Sequence, residues 1–181
     1  QISALGNQNL NYLVSGKSPV QMGNAHMNIA PYEAVPVRDG HIILAVGNDG
    51  QFAKFCAAVG LDDLPSNPDF ATNPARVANR AKLREHMIEA LKIWDRDPLL
   101  AKLEAASVPA SPINNIGQMF ADPQTIARGM RLDLDDGHGN LLPSVRAPMV
   151  MSETPLVYER PSPRLGEHTE EILAELERSG K

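Results

Sequence analysis

One cysteine, Cys56, stands in the whole 181-residue chain. A lone thiol cannot close an internal disulfide, so a stapled secreted fold is excluded and a reducing, cytoplasmic setting is the default. Long apolar runs are lacking too. The longest are about five residues, as at Ile42–Val46, whereas a helix crossing a bilayer needs about 20. No charged stretch is followed by an apolar run of the secretory type. Basic blocks are also absent. Lys and Arg number 17 against 22 Asp and Glu, for a net charge of −5. Without clustered cations, nucleic acid is not the expected main partner.

The common signatures of metal and nucleophile chemistry are missing as well. The histidines fall at 26, 41, 86, 138 and 168 and share no helical face. With no cysteine pair and no H-E-x-x-H, a metal site is not expected. No G-x-S-x-G elbow occurs. Cys56 falls on an apolar helix face with no cation expected beside it, which describes a structural thiol. Gly47-Asn48-Asp49-Gly50 has neither G-x-G-x-x-G nor G-K-[ST]. It reads as a strand-to-helix turn capped by Asn48 or Asp49. Arg146, Arg160 and Arg164 either serve solubility or meet phosphates. Solubility is the ordinary role of surface arginines.

What is present is a hydrophobic fraction of 43%, enough for a packed core, cut into short pieces by 15 prolines and 13 glycines. Ile2, Leu5, Leu10 and Leu13 give a helix over 2–14. No cap precedes it, so residues of the same protein are expected upstream. A polar loop covers 15–28. Tyr32–Val37 and His41–Val46 read as strands joined at Asp39-Gly40, the signal for a I′ hairpin. Phe52, Phe55, Cys56 and Val59 line one face of a helix over 50–59, ended by Gly60. One long helix is expected from Pro74 to about Ile93. Its inner face is Leu83, Met87, Ala90, Leu91 and Trp94, with arginine and lysine outside.

Asp97-Pro98 reads as a helix start, with Asp as cap and Leu99, Leu100 and Leu103 turned inward. Asp95-Arg96-Asp97 reads as solvated charge. Residues 108–113 are extended. Short helices follow at 115–120 and from Asp122-Pro123 to Gly129. A second hairpin joins 130–134 to 141–145. Residues 147–158 are extended, with Pro148 and Pro155 suiting an edge or a linker. The last helix, 169–178, carries the stripe Ile172, Leu173 and Leu176. The class is α+β, with a body over 29–124. The tail over 125–181 has too few apolar residues for a core of its own.

The loop Gly23-Asn24-Ala25-His26-Met27-Asn28 is the most suggestive segment. Glycine permits close backbone approach to a ligand. Asn and His supply donors and acceptors without fixed charge. Such a loop can cover a reacting thioester and keep water out. It can equally be an ordinary connection.

Four stretches in order, MGNAHMNIAPYEAVPVRDGHIILAVGNDGQF (22–52), NPARVANRAKL (73–83), SVPASPINNIGQMFADPQTIARGM (107–130) and SPRLGEHTEEIL (162–173), resemble the C-terminal half of class III CoA-transferases. That family includes formyl-CoA transferase and the carnitine CoA-transferase. The resemblance implies a small α+β domain with a short antiparallel sheet at 29–124, joined through 1–28 to a Rossmann-like large domain. It implies a hairpin linker at 125–149. At 150–181 it implies a strand and helix that return to the large domain.

It also implies an acyl-CoA substrate, a carboxylic acid partner, no metal, and an interlocked homodimer. The catalytic aspartate of the family forms mixed anhydrides and aspartyl-CoA thioesters. No position here corresponds to it, so no catalytic residue is expected within this chain. Gly23, Asn24, His26 and Asn28 match the family's glycine-rich loop and become the expected substrate-binding residues. Only Gly23 stands where some members have a run of glycines, so polar contacts are expected to matter more than flexibility. The α-methylacyl-CoA racemases of the same family place a carboxylate about three residues before the Asp-Gly turn. Pro36 stands there and cannot move a proton, while Glu33 is one step out of phase. Transfer is favoured over racemisation. A free-standing α+β binding module is the reading outside this family.

Overall fold

The computed structural model describes residues 2–180, in two compact units that divide between Ile113 and Asn114. The architecture is α+β, with short antiparallel sheets and helices. The first unit opens with a 3-10 turn (Ile2–Leu5) and helix α1 (Gly6–Ser15), neither of which buries a residue. Its sheet has the order β1-β2-β3, all antiparallel: β1 (Tyr32–Val37), β2 (Gly40–Ala45) and β3 (Ala110–Pro112).

Side chains alternate across a strand, so Glu33, Val35 and Val37 of β1 share a face with Ile42 and Leu44 of β2. Helices α2 (Asp49–Val59), α4 (Arg80–Leu91) and α5 (Arg96–Ala105) complete this core. They contribute Phe52, Phe55 and Cys56, then Leu83, Met87 and Leu91, then Leu99 and Leu103. These are the apolar faces that helical spacing predicts.

Three details differ from expectation. The hairpin forms, but its two-residue connection is Arg38-Asp39, and Gly40 pairs with Val37 inside the ladder. Among the described residues, Ser107 is the one non-glycine with positive φ, and Gly40 is not among the positive-φ glycines. The turn is therefore not I′. Tertiary contacts hold it instead. Arg38 N–H donates to Trp94 O (2.9 Å) and the Arg38 side chain pairs with Asp95, while Asp39 accepts from the Arg96 N–H (2.7 Å). Asp95 thus does more than face solvent, although water screens so exposed a pair and leaves it little weight in stability.

The same contacts explain the second difference. Helix α5 begins at Arg96 rather than at Asp97-Pro98, and Asp39 of the hairpin satisfies its first free N–H in place of a local cap. Third, the long helix is two, α3 (Asn73–Ala78) and α4, broken at Asn79 (φ −105°, ψ 25°). The Asn79 side chain donates back to Ala75 O and across to Asp69 O. Such local side-chain bonds compete with helix continuation.

The second unit contains α6 (Ile116–Ala121), α7 (Pro123–Ala127), the hairpin β4 (Arg131–Asp135) and β5 (Leu141–Val145), and α8 (Thr169–Ser179). Asn115 and Gln118 close a reciprocal capping box on α6, and Asp122 caps α7. No residue from 114 to 180 is buried. Residues 147–158, expected to be extended, form no regular strand. A strand needs a neighbour for its N–H and C=O groups, and β4 and β5 pair with each other. Arg160 makes a bidentate pair with Glu171 (2.7 and 3.1 Å).

In the β4–β5 turn, hydrogen bonds from Asn140 and His138 hold the Asp136 carboxyl down from 3.8 to about 2. Because the folded value lies below the unfolded one, its stabilising effect is present above pH 3.8 and is lost as pH falls through about 2. The amide signals of His138 and Asn140 should report that loss between these two values. Asp136→Ala should remove the dependence.

Candidate functional site

The loop from Met22 to Ala30 runs along the outer edge of β1. Its course follows from where the edge strand's unpaired groups go. Asn24 Oδ1 accepts from the Ala34 N–H (2.8 Å), and the His26 N–H donates to Tyr32 O (2.9 Å). Gly23, at φ +60°, lies in the left-handed region that favours glycine, and Ala25 N–H closes the turn onto Met22 O. The Asn28 side chain donates to Asn11 Oδ1 of α1 (2.9 Å), and the Asn11 amide reaches Met27 Sδ (3.2 Å).

The His26 ring stacks on Tyr32, with centroids 5.3 Å apart and planes at 15°. Its Nδ1 accepts from the Asn28 N–H (3.1 Å). In the neutral ring the proton therefore sits on Nε2, which is left as a donor. The structure thus brings Gly23, Asn24, His26 and Asn28 into one loop. It also separates their roles: Asn24 and Asn28 are engaged within the protein, Gly23 makes the turn, and His26 keeps a free donor among the described hydrogen bonds.

The groups that fix this loop escape sequence reasoning. Arg76 is fully buried, contrary to the expectation that the arginines of this helix face outward. It donates to Ala30 O (2.7 Å) and Phe70 O (2.9 Å), pairs with Asp49 (2.7 Å), and lies 4.4 Å from the centre of the Phe52 ring. Asn73 grips the chain from both sides: Nδ2 donates to Asn28 O (2.8 Å) and Oδ1 accepts from the Ala30 N–H (3.1 Å). Arg80 donates to His26 O (2.7 Å), Met27 O (3.1 Å) and, more weakly, Ile29 O (3.4 Å). The available signal was the spacing of Asn73, Arg76 and Arg80 by three and four residues, which in a continuous helix would set three polar side chains on one side; the structure delivers them from α3 and α4.

Other candidates settle as structural parts. Asn48 caps α2 by accepting from the Gln51 N–H (2.9 Å), and Gln51 Oε1 accepts from the Gly47 N–H (2.8 Å). The Gly47–Gly50 segment is thus a capped strand-to-helix turn. Burial pushes the Cys56 thiol up to about 12, so it stays protonated at neutral pH. Contrary to expectation a cation does act on it, that of Arg76, but burial outweighs the charge. Glu33 faces the core and pairs with Arg84 (3.0 Å), on the opposite side of β1 from Pro36.

Comparison with known proteins identifies the family and the fold. The model of CoA-transferase family III matches residues 1–169. A succinate–glutarate CoA-transferase of Agrobacterium fabrum is 52% identical over 177 residues, covering 98% of this chain and 44% of that protein. The human succinyl-CoA:glutarate CoA-transferase is 35% identical over 177 residues, covering 97% of this chain and 40% of the relative. A crystal structure of a CAIB/BAIF family protein from Brucella suis is 50% identical with a TM-score of 0.80, covering 96% of this chain and 45% of that one. The chain therefore spans less than half the length of these relatives.

Proposed function

Because this chain belongs to CoA-transferase family III, we propose that it forms part of an enzyme moving CoA from an acyl-CoA thioester to a free carboxylic acid. Dicarboxylic acids of four and five carbons are the proposed substrates, after the succinate and glutarate named for the two relatives. The observation that carries the reading is the family match across residues 1–169. In the chemistry proposed, a carboxylate outside these 181 residues attacks the thioester carbonyl. CoA leaves as thiolate and a mixed anhydride forms. The thiolate then attacks the enzyme's carbonyl in that anhydride, which releases the donor acid and leaves CoA as a thioester on the enzyme's carboxyl. The incoming carboxylate attacks this thioester to give a second mixed anhydride, and the freed thiolate takes its substrate carbonyl, forming the new acyl-CoA and restoring the enzyme's carboxylate.

The part of this chain in that sequence is coverage. Gly23, Asn24, His26 and Asn28 make the loop that contacts substrate, with the His26 Nε2–H as the donor to a carboxylate or thioester oxygen. Excluding water matters because water would hydrolyse the anhydrides and the enzyme-bound thioester. Exposed apolar side chains on α1 (Leu10, Leu13, Val14) and α8 (Ile172, Leu173, Leu176) support a large domain and an interlocked partner copy as their cover. No helix among the described residues is long and apolar enough to cross a membrane.

The test uses the full-length protein that contains this chain. Incubated with succinyl-CoA and glutarate, it should yield glutaryl-CoA and succinate in equal amounts, read by mass spectrometry. The 181-residue chain alone should yield neither. Deuterium uptake at the α-carbon of a 2-methylacyl-CoA without transfer to any acid would sink the transferase reading in favour of racemisation.

A further inference from the structure

Five consecutive backbone carbonyls, those of residues 26 to 30, are all taken by three side chains. Arg80 holds those of His26, Met27 and Ile29, Asn73 that of Asn28, and Arg76 that of Ala30. In an extended chain successive carbonyls point to opposite sides. Turning five toward the side chains of α3 and α4 sets like dipole ends side by side, which is unfavourable unless donors or positive charge meet them. The two guanidiniums and the amide supply both.

The three are not equivalent. Arg76 is buried, has Asp49 as counter-charge and also serves Phe70. Arg80 is only half-buried, bonds to nothing but the loop, and has no carboxylate within ion-pair distance among the described residues. Its three carbonyls include that of His26 itself.

We propose that Arg80 is a positioning residue. It fixes the backbone of residues 26–29 so that the His26 ring keeps its stack on Tyr32 and its Nε2–H faces substrate, and it places an uncompensated positive charge beneath the loop. Asn73 and Arg76 complete the rack. The proposal rests on the reading of residues 23–28 as the substrate loop. It adds a residue outside that loop through which α4 governs turnover.

The test is Arg80→Met, with Arg80→Lys and His26→Ala beside it, in the full-length enzyme. Arg80→Met should lower kcat roughly tenfold or more, with KM for the acyl-CoA changed less than about twofold. The double variant Arg80→Met/His26→Ala should be no slower than His26→Ala alone, because residues acting as a unit are not additive. Arg80→Lys, with one ammonium for three carbonyls, should recover stability better than turnover. Amide exchange at Asn28 and Ala30 should quicken roughly tenfold in Arg80→Met while β2 amides keep their protection.

Unchanged exchange in the loop overturns the rack. Faster exchange with unchanged kcat, or losses that multiply in the double variant, overturns positioning of His26. A wild-type enzyme that transfers no CoA overturns the proposed function, and the exchange experiment still decides the rack.

Discussion

Arg76→Met is expected to lower the unfolding free energy of this chain by about 3–5 kcal/mol, the scale for removing one member of a buried polar network. Methionine fills much of the same space, so cavity formation is not the main term. The ion pair with Asp49 is not either, because the Asp49 side chain is 56% exposed and water replaces its partner. The loss comes from Ala30 O and Phe70 O, both on buried residues, which lose their guanidinium donor. An orphaned buried carbonyl costs about 1–3 kcal/mol. The contact with the Phe52 ring adds about 1–2 kcal/mol more.

Arg76→Lys should keep the charge and one carbonyl and recover less than half of the loss. Urea unfolding followed by the fluorescence of the single tryptophan, Trp94, reports the right unit. A midpoint unmoved by Arg76→Met would mean that the two carbonyls find other donors.

His26→Ala in the full-length enzyme is expected to lower kcat/KM by roughly 10- to 150-fold, the equivalent of one hydrogen bond to a charged group at about 1.5–3 kcal/mol. Stability should fall by less than about 1 kcal/mol, since the bond lost within the loop, Asn28 N–H to Nδ1, is exposed. His26→Gln offers an N–H at similar reach and should recover part of the activity. Steady-state turnover set beside urea midpoints separates the two effects. Equal turnover would reduce the loop to a connection between α1 and β1.

The elements carried by periodicity were legible: both hairpins, α2 with its Asn48 and Gly60 ends, the paired starts at Asn115 and Asp122, and the stripe of α8. What stayed hidden depends on contacts between distant residues. The Arg38-Asp39 turn follows from Trp94, Asp95 and Arg96, almost 60 positions away, and Asp39 moves the start of α5 forward. The break at Asn79 comes from a side chain whose competing bonds are invisible to a helical wheel. The candidate segment was legible as a polar, glycine-containing loop; that Gly23 makes a turn in it was not. Which of its side chains stays available was not readable, because Asn24 and Asn28 are engaged by Ala34 and Asn11. Arg76 was hardest of all: an arginine on a helix reads as surface until a carbonyl pair and an aromatic ring are found around it.

That no residue from 114 to 180 is buried has a thermodynamic meaning. Cooperativity arises where side chains share water-excluded contacts, and the denaturant slope of a transition follows the surface it newly exposes. A melting curve of the 181-residue chain is therefore a curve of its first unit, with a slope and heat uptake proper to a much shorter protein. The second unit contributes only a gradual, non-cooperative baseline. Stability measured on this chain belongs to the sheet and its three covering helices, and says little about hairpin β4–β5 or α8.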